Sequence, residues 1–385
     1  MTRRAVKLAA RQRGMKGATG CITMNNEVWV LGATGRTGRA VASRLHEAGV
    51  SLVLVGRDRA RLDGIVAELG GAPRLLVGTL TSALAALAQQ APAVVVNTVG
   101  PFTTTALHVA RACPPGTHYV DVANELQAVE TILGLDREAA DTGRVFVTGA
   151  GFGVLATESV LLRLCDGQPP ATRVRVDALA SLATEAGVIG SALAHSIVDG
   201  IPSGGWEVRH GRLAPAPVFG EPTRLTTPDG DAVSSASLPS GELLAAWRAS
   251  QADHVVAASS LAPTGVVVRL MMPAVIFVFR IPGVTGFTAS RLARVKLRAQ
   301  DRPRPHSWGH ARVEWSSGIV REGWLRAGDA HTFTAAVAAE VARRLLRGDG
   351  RPGAYTPGAL FGPTLAEATG GAFLIDQDRE LSQRG

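Results

Sequence analysis

The chain has 385 residues, 46% hydrophobic and 19% charged, which is the composition of folded domains and enough length for two cores. Its formal net charge of +8 suggests a polyanionic partner until the charges are placed: Arg3, Arg4, Lys7, Arg11, Arg13 and Lys16 fall in the first 23 residues, which hold no acid. Without those six, the 40 basic residues nearly match the 32 acidic ones, and no basic face interleaved with aromatics follows, so nucleic-acid binding is excluded.

Residues 1–23 read as a disordered basic tail or a mis-assigned start, with Met15 and Met24 as alternative starts. The twin arginines are not followed by an apolar segment long enough for export. Cys21, Cys113 and Cys165 show no paired spacing, which suits reduced thiols and a cytoplasmic protein.

From Val28 the chain reads as a buried strand, a glycine-rich turn and the start of a helix, Gly32-Ala33-Thr34-Gly35-Arg36-Thr37-Gly38. Gly32 permits the tight turn, Gly35 lets backbone approach a phosphate, and Gly38 lets helix and strand pack closely. The helix N-terminus then offers free N–H groups to an anion. A second strand, Ser51–Val55, ends at Gly56-Arg57, where a site preferring NAD would place an acid. A guanidinium suits a 2′-phosphate instead, which favours NADP(H), with Arg36 flanking the same phosphate. Asp58 reads as the N-cap of a helix from Arg59 to Leu69.

Strands and helices then alternate: strand Arg74–Val77, helix Thr81–Gln89, strand Ala93–Asn97, helix Thr104–Ala112, strand Thr117–Val122, helix Leu126–Asp141 and strand Arg144–Thr148. This order predicts an α/β fold with a doubly wound parallel sheet of Rossmann type. Ligands bind beyond the carboxyl ends of such strands. Asn97, Thr98, Val99, Gly100 and Pro101 leave the fourth strand at that edge and are expected to border the cofactor.

The middle of the chain is less regular. Arg173–Ala178 alternates like a strand, and Leu182–Ser196 is small and apolar, with Ser191 and His195 at helical spacing. Gly204–Ala216 and Pro228–Ala232 suggest hairpins, and Arg312–Ser316 is expected to pair with Ile319–Arg326. Leu270–Phe279 is bounded by Arg269 and Arg280 and interrupted by Pro273. It spans about half of a bilayer and reads as a core or interface segment, with a membrane-surface element as the alternative.

Several chemistries are excluded by what is missing. The two tyrosines, Tyr119 and Tyr355, have Ala123 and Ala359 four residues on, so the Tyr-Lys pair of a short-chain dehydrogenase is absent. His306 and His310 lack an adjacent glutamate and sit beside Pro305 and Gly309, so no metal is expected. No catalytic residue is established. Tyr119, His195 and Asp199 are weak candidates for a proton donor, Tyr119 with a packing role and His195 with a structural role as the competing readings.

Four segments carry a resemblance: the Gly32–Gly38 loop, Val55-Gly56-Arg57, Asn97–Phe102, and Gly116–Glu125. Together they resemble saccharopine dehydrogenase-like NADP-binding proteins, a group that includes saccharopine reductase and trans-acting enoyl reductases. The resemblance is sharp over residues 27–150. It is looser at Leu238-Pro239-Ser240-Gly241-Glu242, at Trp308–Gly318 and at Thr332–Pro363. It implies an NADP-binding Rossmann domain at 24–150, an inserted α+β substrate domain at 151–330, and C-terminal helices at 331–385 that return to the first domain. The family often reads Gly-Phe-Asp with a nearby proline after its last Rossmann strand. Here Gly153 and Ala156 stand there, which argues against a polar amino-acid substrate.

The expected function is an NADPH-dependent reductase transferring hydride to a C=C, C=N or C=O bond of a small or lipid-like metabolite. A saccharopine-type secondary-amine dehydrogenase is the enzymatic alternative, and a non-catalytic NADP-binding sensor or scaffold is the alternative of another class. Expected partners are the substrate, a peripheral membrane or lipid surface and a second copy of the chain.

Overall fold

A computed structural model describes residues 25–71, 73–183, 187–188, 204–279, 281, 283–299, 301–375 and 379–380. The expected 1–23 tail and the candidates Ser191, His195 and Asp199 lie outside the described residues.

The first sheet is built from β1 (Asn25–Leu31), β2 (Leu52–Gly56), β3 (Arg74–Val77), β4 (Pro92–Asn97), β5 (His118–Asp121) and β6 (Val145–Val147). A late strand, β17 (Gly353–Tyr355), completes it in the all-parallel order β17-β6-β5-β4-β1-β2-β3. The order reverses between β1 and β4, and that is where such a sheet opens a crevice.

Alternation along β1 assigns its faces. Val28 and Val30 pack with Val41 and Leu45 of α1 (Arg36–Glu47) and with Leu62 and Ile65 of α2 (Arg59–Leu69). Trp29 and Leu31 face the other layer, with Leu87 of α3 (Leu80–Gln90) and Val109 of α4 (Phe102–Ala112). The expected helix over 126–141 divides into α5 (Leu126–Leu133) and α6 (Asp136–Asp141). The Asp136 carboxylate accepts the N–H of Ala354, tying α6 to β17.

The chain crosses to the second domain through α7 (Phe152–Leu164), which is buried along most of its length, Glu158 included. It packs under β7 (Arg173–Leu179), β15 (Ser307–Glu314) and β16 (Ile319–Ala327). Closeness is set by Gly309: a Cβ there would stand 2.7 Å from the Ala156 carbonyl carbon. The second sheet runs β10-β9-β13-β7-β15-β16-β18, with β9 (Gly205–Arg209), β10 (Arg212–Ala216), β13 (His254–Ser259) and β18 (Ala372–Ile375). It is mixed, with β13 and β7 parallel and the other neighbours antiparallel. The hairpin of β11 (Thr223–Thr226) and β12 (Ala232–Ser237) attaches to β13, while β8 (Gly187–Val188) and β14 (Lys296–Leu297) pair as a separate two-stranded sheet.

The strand expected from Arg312 begins five residues earlier. Ser307–Ala311 are all buried, so no alternation marks them in the sequence. After α8 (Gly241–Ser250) come α9 (Val266–Phe279) and α10 (Val284–Leu292). Here the core reading of Leu270–Phe279 is corrected: Met272 is the one buried side chain of α9 among the described residues. Finally α11 (Ala330–Leu346) returns to pack on α1, β4 and β5, while β18 joins the second sheet.

Candidate active site between the two domains

The glycine loop leaves β1 beside the end of β4. Thr98 ties the two strands: its N–H donates to Leu31 O at 3.0 Å and its hydroxyl to the same oxygen at 2.7 Å. Gly32 takes φ +79°, favouring glycine. A Cβ at Gly38 would stand 2.8 Å from both the Gly32 carbonyl carbon and Thr98 Oγ1, with Gly32 O closer still. Gly35 precedes α1 with no side-chain cap, so the first-turn N–H groups have no side-chain acceptor there. Tight turn, close helix and uncapped amides together form a cradle that fits a pyrophosphate.

At the tip of β2, a Cβ on Gly56 would meet Thr34 Cγ2 at 3.2 Å and Leu62 Cδ2 at 3.3 Å, so the position has little room for an acidic side chain. Arg57 follows, exposed. Asp58 caps α2, accepting from Arg61 N at 3.1 Å. Arg36 reaches across to the second domain, where its guanidinium donates to Ala183 O at 3.3 Å.

Asn97 also departs from expectation. Its side chain is fully buried, donating to Tyr119 Oη at 3.3 Å while its Oδ1 accepts from Val99 N at 3.0 Å. It shapes the turn from within, and the backbone of Thr98, Val99, Gly100 and Pro101 is what remains at the edge. Tyr119 is corrected as a proton-donor candidate. It is fully buried, edge-on to Phe146, and donates to Asp121 Oδ2 at 2.8 Å. Burial, with the Asp121 charge, holds its phenol far above the usual range. Asp121 in turn accepts from Ala123 N, Gly149 N and Thr148 Oγ1, clamping the loops after β5 and β6.

Those loops wall a cleft of ≈ 180 Å³ at the domain junction. Phe152, Val154, Ala178, Leu182 and Leu261 give it apolar sides. Two polar residues that sequence reading left without a role also line it. His331, in the first turn of α11, lies 3.3 Å from Thr37 Oγ1, linking the glycine-loop helix to the cleft. Glu242, at the start of α8, is 3% exposed, and its Oε2 has no hydrogen-bond partner. Burial pushes its carboxyl above the usual range, against the pull of hydrogen bonds from Ser240 and Asn124. A Cβ on Gly153 would stand 3.0 Å from Glu242 Cδ, with Oε1 closer still, so the carboxyl group occupies the space of a side chain at 153.

His310 and His306 are each held by carboxylates. His310 is buried between Asp177 Oδ2 at 3.0 Å and Glu322 Oε1 at 2.9 Å, and His306 pairs with Asp229 at 2.9 Å. Glu207, Glu221 and His254 approach one another closely enough to hold an ion. Their carboxylates already receive Arg209 and Arg173, so guanidinium groups stand where a cation would act.

The L-glutamate-forming saccharopine dehydrogenase of Saccharomyces cerevisiae superposes over 91% of this chain and 100% of its own, with a TM-score of 0.56 at 11% identity. The chain has the saccharopine dehydrogenase fold. A short-chain dehydrogenase from Sphingobium yanoikuyae, in complex with NADPH, covers 32% of this chain and 70% of its own, at TM-score 0.27 and 21% identity. An alcohol dehydrogenase from Comamonas testosteroni, specific for bulky-bulky ketones, covers 33% and 75%, at TM-score 0.27 and 16% identity. These two partial likenesses carry no function across. No family model and no curated protein matches the sequence.

Proposed function

We propose that the protein is an NADP(H)-dependent reductase acting on an apolar metabolite, with Glu242 as the proton donor. The observation that carries this reading is the cleft itself, where the His331 contact with Thr37 brings the glycine-loop helix to the same cavity as the unpartnered Oε2 of Glu242. The backbone of residues 32–38 would hold the pyrophosphate and Arg57 the 2′-phosphate. When bound, the nicotinamide supplies hydride to a C=O, C=N or C=C carbon.

Glu242 does the complementary work. A carboxyl kept protonated to higher pH by burial donates its proton to the atom that gains electron density. The apolar walls exclude water from that transfer. They also favour an apolar substrate over an amino acid, because the described residues lining the cleft include no Arg or Lys to receive a substrate carboxylate.

The test is loss of NADPH absorbance with aldehydes, imines and enoyl thioesters. Glu242→Gln is expected to keep NADPH affinity and lower turnover by about 10²-fold or more. Unchanged turnover in that variant would remove Glu242 from the chemistry. No turnover of any substrate, with NADPH bound tightly, would favour the sensor reading.

A further inference from the structure

Helices α9 and α10 turn apolar side chains into solvent. Val267, Leu270, Met271 and Phe277 of α9 are exposed, Leu270 by 76% and Phe277 by 72%, and Phe287 of α10 joins them. Single exposed hydrophobics are ordinary, but a run of this size along consecutive helices marks a surface that something covers.

The surrounding charge has one sign. Residues 254–300 contain Arg269, Arg280, Arg291, Arg294, Lys296 and Arg298 and neither Asp nor Glu. Arg291, Arg294, Lys296 and Arg298 are exposed at the end of α10 and just beyond it. The Arg291 guanidinium lies 5.2 Å from the Phe287 ring centre, so cation and apolar surface share one edge.

We propose that α9 and α10 dock on an anionic lipid bilayer, lying in its interface with the apolar side chains at the acyl boundary and the basic residues among the phosphates. A span by one straight helix is disfavoured by length, and the α9–α10 pair, long and apolar enough only when taken together, is bent by 114° at its break. The 14 residues of α9 rise about 21 Å against the ~30 Å of a hydrocarbon core, and no single helix among the described residues is long and apolar enough to cross a membrane. A second copy of the chain is disfavoured by charge, because self-association would press like cations together, whereas anionic lipid neutralises them. Leu261 lines the cleft and stands five residues before α9, so docking brings the mouth of the cleft to the lipid.

The experiment is flotation of the full chain with vesicles of phosphatidylcholine alone and of an equal mixture with phosphatidylglycerol. Binding is expected to the mixture, weakened by salt, and about tenfold or more weaker to phosphatidylcholine. The pair Leu270→Asp and Phe277→Asp, and separately Arg291→Glu with Arg294→Glu, should each lower binding by about tenfold or more with an unchanged melting profile. No flotation with the mixture, or equal flotation of both variants and the wild type, overturns the proposal. So does a wild-type dimer that Leu270→Asp converts to a monomer without any vesicle binding. The surface stands apart from the cofactor reading: a chain that floats but does not bind NADPH keeps the surface and loses the reductase.

Discussion

The carboxyl group of Glu242 fills the space that a side chain on Gly153 would need, although 89 positions separate the two residues. The glycine is the room that lets α8 place an acid in the cleft. Gly153→Ala therefore drives Glu242 aside. Its expected effect is a loss of turnover close to that of Glu242→Gln, with NADPH affinity kept, checked by steady-state kinetics beside a binding titration. Full activity in Gly153→Ala would show that Glu242 has no fixed position to lose.

Gly38 sets how closely α1 approaches β1. In Gly38→Ala the new methyl meets backbone at Gly32, which cannot rotate away as a side chain would. The expected cost is about 1–3 kcal/mol in urea denaturation, with weakened cofactor binding.

The His310–Asp177 pair is a buried charge pair within the second sheet. For Asp177, burial alone would raise the carboxyl, but the His310 hydrogen bond and the Arg175 guanidinium bring it down to about 2. For His310, burial would lower the imidazole, but Asp177 and Glu322 raise it above 6.5. Asp177→Asn leaves the imidazolium without its buried partner and should cost about 3–5 kcal/mol. The histidine's contribution is present below pH 6.5 and is lost as pH rises through the higher folded value. The aspartate's contribution is present above pH 3.8 and is lost as pH falls toward 2.

Glu158 adds a slope of its own. It is buried, accepts from Gly358 N at 2.8 Å, Ala359 N at 3.1 Å and the Thr356 hydroxyl, and burial raises its carboxyl from 4.5 to about 7. A folded value above the unfolded one means stability present below pH 4.5 and lost as pH rises through 7. The loss amounts to about 3 kcal/mol. Chemical denaturation across that window should show the decline, and Glu158→Gln should flatten it.

What the sequence disclosed was local. The glycine loop, the Asp58 cap and the boundaries of α2 and β3 follow from residues next to one another. Their geometry is set by turn sterics and capping, and these elements stand where expected. What it concealed was long-range. Gly153 read as a lost acid, because nothing near it in sequence shows that Glu242 fills the space. Leu270–Phe279 read as core because hydrophobicity alone does not say which way a helix faces. Asn97 read as cofactor-facing because its partner, Tyr119, comes from the neighbouring strand. His331 carried no motif and acquired its place only when α11 returned to α1.

The proposed cofactor site rests on the glycine loop and Arg57, and calorimetric titration with NADPH and with NADH tests both. Tight NADPH binding and weak NADH binding are predicted, with Arg57→Asp lowering NADPH affinity at least about tenfold and leaving NADH nearly unchanged. Equal affinities for the two, or equal losses in the variant, would contradict the 2′-phosphate assignment, and no binding of either would contradict the nucleotide site itself.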